Sequence, residues 1–262
     1  MAQVRLNILL SRLELPDYLH SARKGRSYRT NAMAHMGKGP AFRIDIRKFY
    51  QNARDAYVYR FFRYSLECSP DVAHCLTELT CYQRFLPTGS ALSPIISFLA
   101  YRPMFDELYA LAQSVNVTMT VYVDDIVMSG AEADGKMIPK CKRILKNYEL
   151  QGHKILKFSN GETRVITGVA VGPEGIGIPN KRRRKIRALR EELQRANDPL
   201  ERLRYKNALL GQLREGAPLD SSLSDLAAMV KQIPVKASAQ TETTSYRKLT
   251  DSRDAESDTP PW

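Results

Sequence analysis

The sequence predicts an α+β fold, and three observations carry that expectation. Two β-branched runs, Thr118–Val123 and Ile126–Gly130, flank the adjacent acids Asp124 and Asp125, the pattern of a hairpin with acids at or near its tip. A third strand-like run, Ala41–Ile46, ends in Asp45 and Ile46. Helical spacing dominates elsewhere: an apolar stretch follows Pro94 through Leu111, Ile186, Leu189 and Leu193 share one face, and so do Leu203, Leu210 and Leu213.

Taken in order, residues 1–15 predict a short helix ended by Pro16. Arg23-Lys24-Gly25-Arg26-Ser27-Tyr28-Arg29 is a basic loop carrying an aromatic ring. A unit from Ala41 to about Gly172 holds the first strand, a helix from about Asn52, the helix after Pro94, the hairpin, a helix near 136–150 and a closing strand over 163–171. Gly172-Pro173-Glu174-Gly175 punctuates the chain, and two helices follow. From Lys236 to Trp262 the sequence is polar and Ser/Thr-rich, which predicts a disordered tail. No internal repeat is visible.

A chain of 262 residues buries a real core. Its net charge of +12 suits a polyanionic partner, nucleic acid or an anionic surface. Cys68, Cys75, Cys81 and Cys141 lack paired Cys-x-x-Cys spacing and read as reduced cytosolic thiols. Arg5 and Arg12 interrupt any signal-peptide core, and the run from Ile95 to Tyr101 is too short to span a bilayer. A cytoplasmic protein without a membrane partner is expected.

The chemistry lies in the acids. Two strand ends side by side would gather Asp45, Asp124 and Asp125 around one small volume. Hard divalent cations take such oxygen ligands, and magnesium commonly combines one or two carboxylates with substrate phosphates. Adjacent aspartates in a turn are by themselves ordinary turn formers. The intervening run Leu86-Pro87-Thr88-Gly89-Ser90-Ala91-Leu92-Ser93-Pro94, set before a long apolar helix, changes that balance. With it, motif order and spacing resemble reverse transcriptases. Asn31-Ala32-Met33-Ala34-His35, Ile166-Thr167-Gly168, Ser69-Pro70-Asp71-Val72-Ala73 and Phe105-Asp106-Glu107-Leu108 resemble the retron group, over roughly residues 20 to 190.

That resemblance implies a right-hand polymerase palm at 41–175, reduced fingers in 1–40, a small helical RNA-binding thumb at 176–235 and the tail at 236–262. It implies an RNA-directed DNA polymerase that uses magnesium and deoxynucleoside triphosphates. Its partners would be a cognate structured noncoding RNA, the cDNA copied from it from a 2′-hydroxyl primer, and an effector protein in antiphage defence. Asp45 and Asp124 would hold the metals with the Ile46 carbonyl, and Asp125 would support them. Tyr122 belongs to the same substrate site. Tyr50 would be the aromatic gate against a 2′-hydroxyl, with Phe49 the alternative and a core role open to either ring. Gly89 would let the backbone approach the incoming base pair, with Ser90 and Ser93 beside it. Ser93 and Pro94 also fit a helix cap and first helical position. Thr88 stands where glutamine is commoner in the family.

Lys157 or Lys154 would protonate the departing pyrophosphate, with Lys157 slightly preferred and a solvated lysine equally open. Arg182, Arg183 and Arg184, in the run Lys181–Arg187, would grip RNA phosphates beside Thr167 and Gly168; a solvated helix face is the plain alternative. Only the family element singles out His35. Forty-four residues precede Asp45, fewer than the family spends on fingers; reduced fingers, a late start codon or a partner would each explain it. Two rival readings follow: a noncatalytic RNA-binding relic of a polymerase, and a reverse transcriptase of another bacterial class.

Overall fold

Antiparallel pairing organises the centre of the molecule. The computed structural model describes residues 2–37 and 39–235, so the predicted tail lies outside the described residues. Strands β1 (Ala41–Ile46), β2 (Thr118–Tyr122), β3 (Asp125–Ser129) and β4 (Gly152–Phe158) form one sheet in the order β2-β3-β1-β4, every neighbour antiparallel. The α+β expectation holds, and this sheet lies within the segment 41–175.

Side-chain alternation gives the sheet two unlike faces. Phe42, Ile44, Ile46, Met119, Val121, Ile126 and Met128 point into the main core. Helices supply the other side of that core. They are α1 (Ala2–Leu10), α3 (Phe49–Asn52), α4 (Asp55–Arg60) running into a π-turn at Phe61–Ser65, α5 (Pro70–Thr80), α6 (Ser93–Ala100), α7 (Arg102–Gln113) and α8 (Met137–Asn147), with α2 at Tyr28–Met33. In α8 the buried Ile138, Cys141 and Leu145 recur at helical spacing. Gly152, at the start of β4, is forced by close approach: a Cβ there would stand 2.7 Å from Ile44 Cγ2 and 3.1 Å from Leu145 Cδ1.

The opposite face is read in rows across the register. Tyr122, Asp125, Asp45 and His153 form one row, and Thr120, Val127, Arg43 and Leu156 the next. The lower part of this face is covered by Ala32, Ile166, Val169 and Val171, packed on Val127. Its upper part carries the acids.

Several expectations need correction. The closing strand over 163–171 is two strands, β5 (Arg164–Ile166) and β6 (Val169–Gly172), which with β7 (Gly175–Gly177) form a separate sheet. Thr167 and Gly168 both take positive φ, 45° and 80°, so the chain reverses there in a two-residue hairpin. The fourth strand of the central sheet is instead β4, whose exposed Leu156 and lysines hide its alternation. The first helix after β1 begins at Phe49 rather than near Asn52. Three helices, not two, follow the small sheet: α9 (Asn180–Arg195), α10 (Pro199–Gly216) and α11 (Ser222–Gln232), sharing a core of Ile178, Ile186, Leu193, Leu209, Leu210, Leu213, Leu223 and Val230. Ser93 is not a cap: it is the first residue of α6, and its hydroxyl donates to the Pro87 carbonyl at 2.6 Å. All four cysteines are free thiols, and no described helix is long and apolar enough to cross a membrane.

Two of the short elements that carry the retron resemblance, Asn31–His35 and Ile166–Gly168, meet in space. Asn31 Nδ2 donates to Thr167 Oγ1 at 3.3 Å, and Thr167 Oγ1 donates to the Tyr28 carbonyl at 3.0 Å. His35 is fully buried beneath the hairpin, with Nδ1 2.6 Å from Ser129 Oγ and Nε2 2.8 Å from Thr120 Oγ1. Arg164 closes the arrangement by donating to the carbonyls of His35 and Gly39. Replacing His35 with Leu would strand two buried hydroxyls, each costing about 1–3 kcal/mol. We expect a stability loss of about 2–6 kcal/mol in urea unfolding.

Candidate active site

The acids sit where the sequence puts them. β2 and β3 are joined by Val123 and Asp124 alone, with Tyr122 paired to Asp125, and Asp125 is in turn registered opposite Asp45. Val123 holds φ at 59°, a conformation that costs a β-branched residue strain and is found where surrounding structure imposes it. Two hydrogen bonds impose it here. The Val123 N–H donates to Ser21 Oγ at 3.0 Å, and the Ile46 N–H donates to the Asp124 carbonyl at 2.9 Å. The segment around Leu19 runs along β2, with His20 N–H bonded to the Val121 carbonyl, and so delivers Ser21 to the turn. Ser21 has no motif of its own; only the tertiary pairing reveals it.

Burial raises the Asp124 carboxyl above the usual range, and the neighbouring Asp45 charge raises it further. Burial pushes Asp125 up to about 6, against the pull of Arg43 and with added repulsion from Asp124 and Asp45. A carboxyl raised in the folded state opposes folding as pH rises from the ordinary range through about 6, because the folded chain must then give up a proton it held. A cation would relieve that cost. Asp45 Oδ1 lies 2.8 Å from His153 Nδ1, and Asp125 Oδ1 lies 3.3 Å from Arg43 Nε. His153 and Arg43 were not expected at the site, though their registers opposite Asp45 and diagonal to Asp125 explain both contacts.

Among the described residues no three of His, Cys, Asp and Glu are grouped to hold a metal ion. The donors nevertheless fit a divalent cation in a two-carboxylate form. Asp45 and Asp124 repel one another in a half-buried volume, and magnesium commonly takes one or two carboxylates and completes its shell with phosphate.

Tyr50 is brought to this site. Burial pushes its hydroxyl up to about 12, with the Asp124 charge and Tyr122 adding to the shift. Phe49 is the buried ring of the pair, 3% exposed and edge-on to Tyr101 and Phe105. Gly89 is open, with no atom within 4 Å of a Cβ built there, and Ser90 Oγ accepts the Leu92 N–H in the same loop.

Lys157 is not brought to the acids. It is registered with Phe42, on the core-facing parity, and its Nζ lies 3.3 Å from the Cβ position of Gly135. Asp45 is three β1 residues further on, roughly 10 Å at about 3.3 Å per residue. Lys154, at an irregularity of β4 with φ 47°, is the lysine whose charge reaches Asp125.

A groove also lies between the small sheet and α9. It encloses about 990 Å³ and is lined by Val165, Gly168, Ala170, Lys181, Arg183 and Lys185, among others. Arg182 reaches its wall but is paired at 2.5 Å with Glu215 of α10. Arg184 is exposed and is not among the lining residues. The basic run therefore divides into groove, staple and solvent-facing positions, which periodicity alone could not sort.

No family model matches the chain. Curated relatives do, and they are retron reverse transcriptases. The chain is 30% identical over 147 residues to the retron Se72 reverse transcriptase of Salmonella heidelberg (strain 579083-10), covering 54% of this chain and 39% of that protein. It is 24% identical over 189 residues to the retron Ec86 reverse transcriptase of Escherichia coli, covering 70% and 58%. A third, the retron Mx65 reverse transcriptase of Myxococcus xanthus, is 22% identical over 216 residues, covering 74% and 50%. The matched part thus spans between 39% and 58% of these relatives' own lengths. Among solved structures, apo telomerase from Candida tropicalis superposes with a TM-score of 0.43 at 11% identity, over 53% of this chain and 35% of that one. Telomerase from Candida albicans with a fragment of telomeric RNA gives 0.43 at 12%, over 76% and 42%.

Proposed function

We propose that the chain is an RNA-directed DNA polymerase of the retron type, joining deoxynucleotides by attack of a primer hydroxyl on the α-phosphate. The observation that carries this reading is Asp45, Asp124 and Tyr50 converging at one hairpin tip in a chain similar to retron reverse transcriptases. Asp45 and Asp124 would hold magnesium, with the Ile46 carbonyl beside them and Asp125 in support. When bound, magnesium supplies neutralisation of the charge that develops on the transferred phosphate.

The chain's own residues do the positioning. β1 and β3 are hydrogen-bonded neighbours, so Asp45 and the Asp124 turn are fixed on sheet rather than loop. Tyr50 lies under the place where a sugar would meet Asp124, and Tyr122 flanks it. Gly89 leaves room for the incoming base pair, and Ser90 stays with its own loop. For the pyrophosphate proton we favour Lys154 over Lys157, because only Lys154 is near the acids. Arg23 and Arg26 are both paired with Asp17, so a triphosphate would have to compete with that acid for them. The test is extension of a primed RNA template with deoxynucleotides and magnesium, with the Asp124→Asn protein as control. No extension by the wild-type chain in those conditions counts against the reading.

The template reading extends to the groove. A cognate structured RNA would be gripped by Lys181, Arg183 and Lys185, with Gly168 at the wall and Thr167 beside it in the same turn; Arg182 acts there as a staple to α10. Changing Arg183 and Lys185 to Gln should flatten the salt dependence of RNA binding by about 0.7–0.9 in log–log slope per lost phosphate contact. Arg182→Gln should leave the slope unchanged and lower stability instead. Filter-binding titrations across salt decide between them, and an unchanged slope for the double variant removes the groove from RNA binding. The same reading makes single-stranded DNA the product. It keeps the expectation of a cytoplasmic protein and, as the resemblance implies, sets it in antiphage defence beside an effector.

A further inference from the structure

The acid cluster contains a fixed positive charge. Arg43 stands on the open face of β1, one register row below Asp45 and Asp125. Its Nε and Asp125 Oδ1 are 3.3 Å apart, and the two side chains are 20% and 18% exposed. Both atoms are buried, and neither completes a well-aligned hydrogen bond. Charge rather than a directional bond therefore holds this pair. Asp45 faces His153 in the same row, and Asp124 lies in the turn above.

We propose that Arg43 is a positioning residue that draws the Asp125 carboxylate away from the divalent-metal site, leaving Asp45 and Asp124 as the carboxylates that bind the ion. This rests on the metal reading above. Asp125 begins β3 and is registered on both sides, to Tyr122 and to Asp45, so its Cβ cannot move. Only its carboxylate can turn, either toward Arg43 or toward the volume shared by the other two acids. The guanidinium is held on a strand, so the direction of its pull is fixed. A third carboxylate at the ion would displace phosphate oxygens that magnesium otherwise takes from its substrate. The arrangement keeps that position open for the triphosphate.

Manganese alone, titrated into the full chain without nucleotide and followed by the electron paramagnetic resonance of the free ion, tests this apart from activity. Wild type and Asp125→Asn should bind within about twofold of one another, because Arg43 holds that carboxylate off the ion and offsets its charge. Arg43→Met should bind at least about fivefold more tightly, within the range that contacting pairs show, because a carboxylate is released. The Arg43→Met/Asp125→Asn double variant should return to the wild-type value, and Arg43→Lys should stay close to it. A tenfold or greater loss in Asp125→Asn alone overturns the proposal, as does a gain in Arg43→Met that persists in the double variant. If Arg43→Met fails to fold, the Asp125→Asn comparison still decides. Asp124→Asn separates the two readings: undiminished manganese binding there would defeat the metal assignment itself, whatever Arg43 does.

Discussion

Extension of a primed RNA template by the Asp124→Asn protein should fall by at least ~10³-fold, equivalent to about 4 kcal/mol of lost transition-state stabilisation. The asparagine keeps the size of the side chain and removes its charge. The turn should survive, because its two anchors are main-chain bonds: Val123 N–H to Ser21 and the Asp124 carbonyl to Ile46 N–H. Neutralising a carboxyl that burial and Asp45 already push upward also removes a cost of folding, so the melting temperature should hold or rise. RNA binding should persist, since the basic groove lies on the small sheet and α9 rather than on the hairpin. Loss of extension with folding and RNA binding kept assigns Asp124 to the chemistry. Wild-type-like extension would remove the metal reading altogether.

The parts of this site that were legible in the sequence are those fixed by local pattern. Paired acids between β-branched runs leave little but a hairpin, and Tyr122, Asp124 and Asp125 fall where that pattern puts them. Asp45 was legible because it lies at the end of a strand-like run. What stayed hidden depends on which strands become neighbours. His153 and Arg43 touch the acids only because β4 and β3 flank β1, and β4 does not look like a strand. The same register separates Lys154 from Lys157, three positions apart in sequence and on different sides of the site question. Thr167 illustrates a subtler limit. Its element was visible, but its hydroxyl serves Asn31 and the Tyr28 carbonyl, so part of the reason these two elements occur together is internal packing around Val127. Helix α11 was missed because its buried Leu223 and Val230 are two turns apart, with half-buried residues between.

Shrinking Tyr50 to Ala should raise ribonucleotide use relative to deoxynucleotide use by roughly 10- to 100-fold, the scale on which one small substituent is told apart in a packed pocket. Phe49 and Tyr50 are adjacent and their rings are 6.1 Å apart, so sequence alone left the gate ambiguous by one residue. Their surroundings differ. Phe49 is locked in the core by Tyr101 and Phe105, and its loss should cost stability, about 3–5 kcal/mol for a buried phenyl ring. Tyr50 is half-buried, with its hydroxyl drawn into the field of Asp124. Discrimination is a difference between two free energies, so relieving a clash with the 2′-hydroxyl helps the wrong sugar more than it harms the right one. Steady-state kcat/KM for paired ribo- and deoxynucleotides, measured on Tyr50→Ala, Tyr50→Phe and the wild type, separates the contributions. Tyr50→Phe should discriminate like the wild type, because ring volume and not the hydroxyl makes the barrier. A ratio unchanged in Tyr50→Ala would leave the ring as packing against the hairpin and place sugar choice elsewhere in the site.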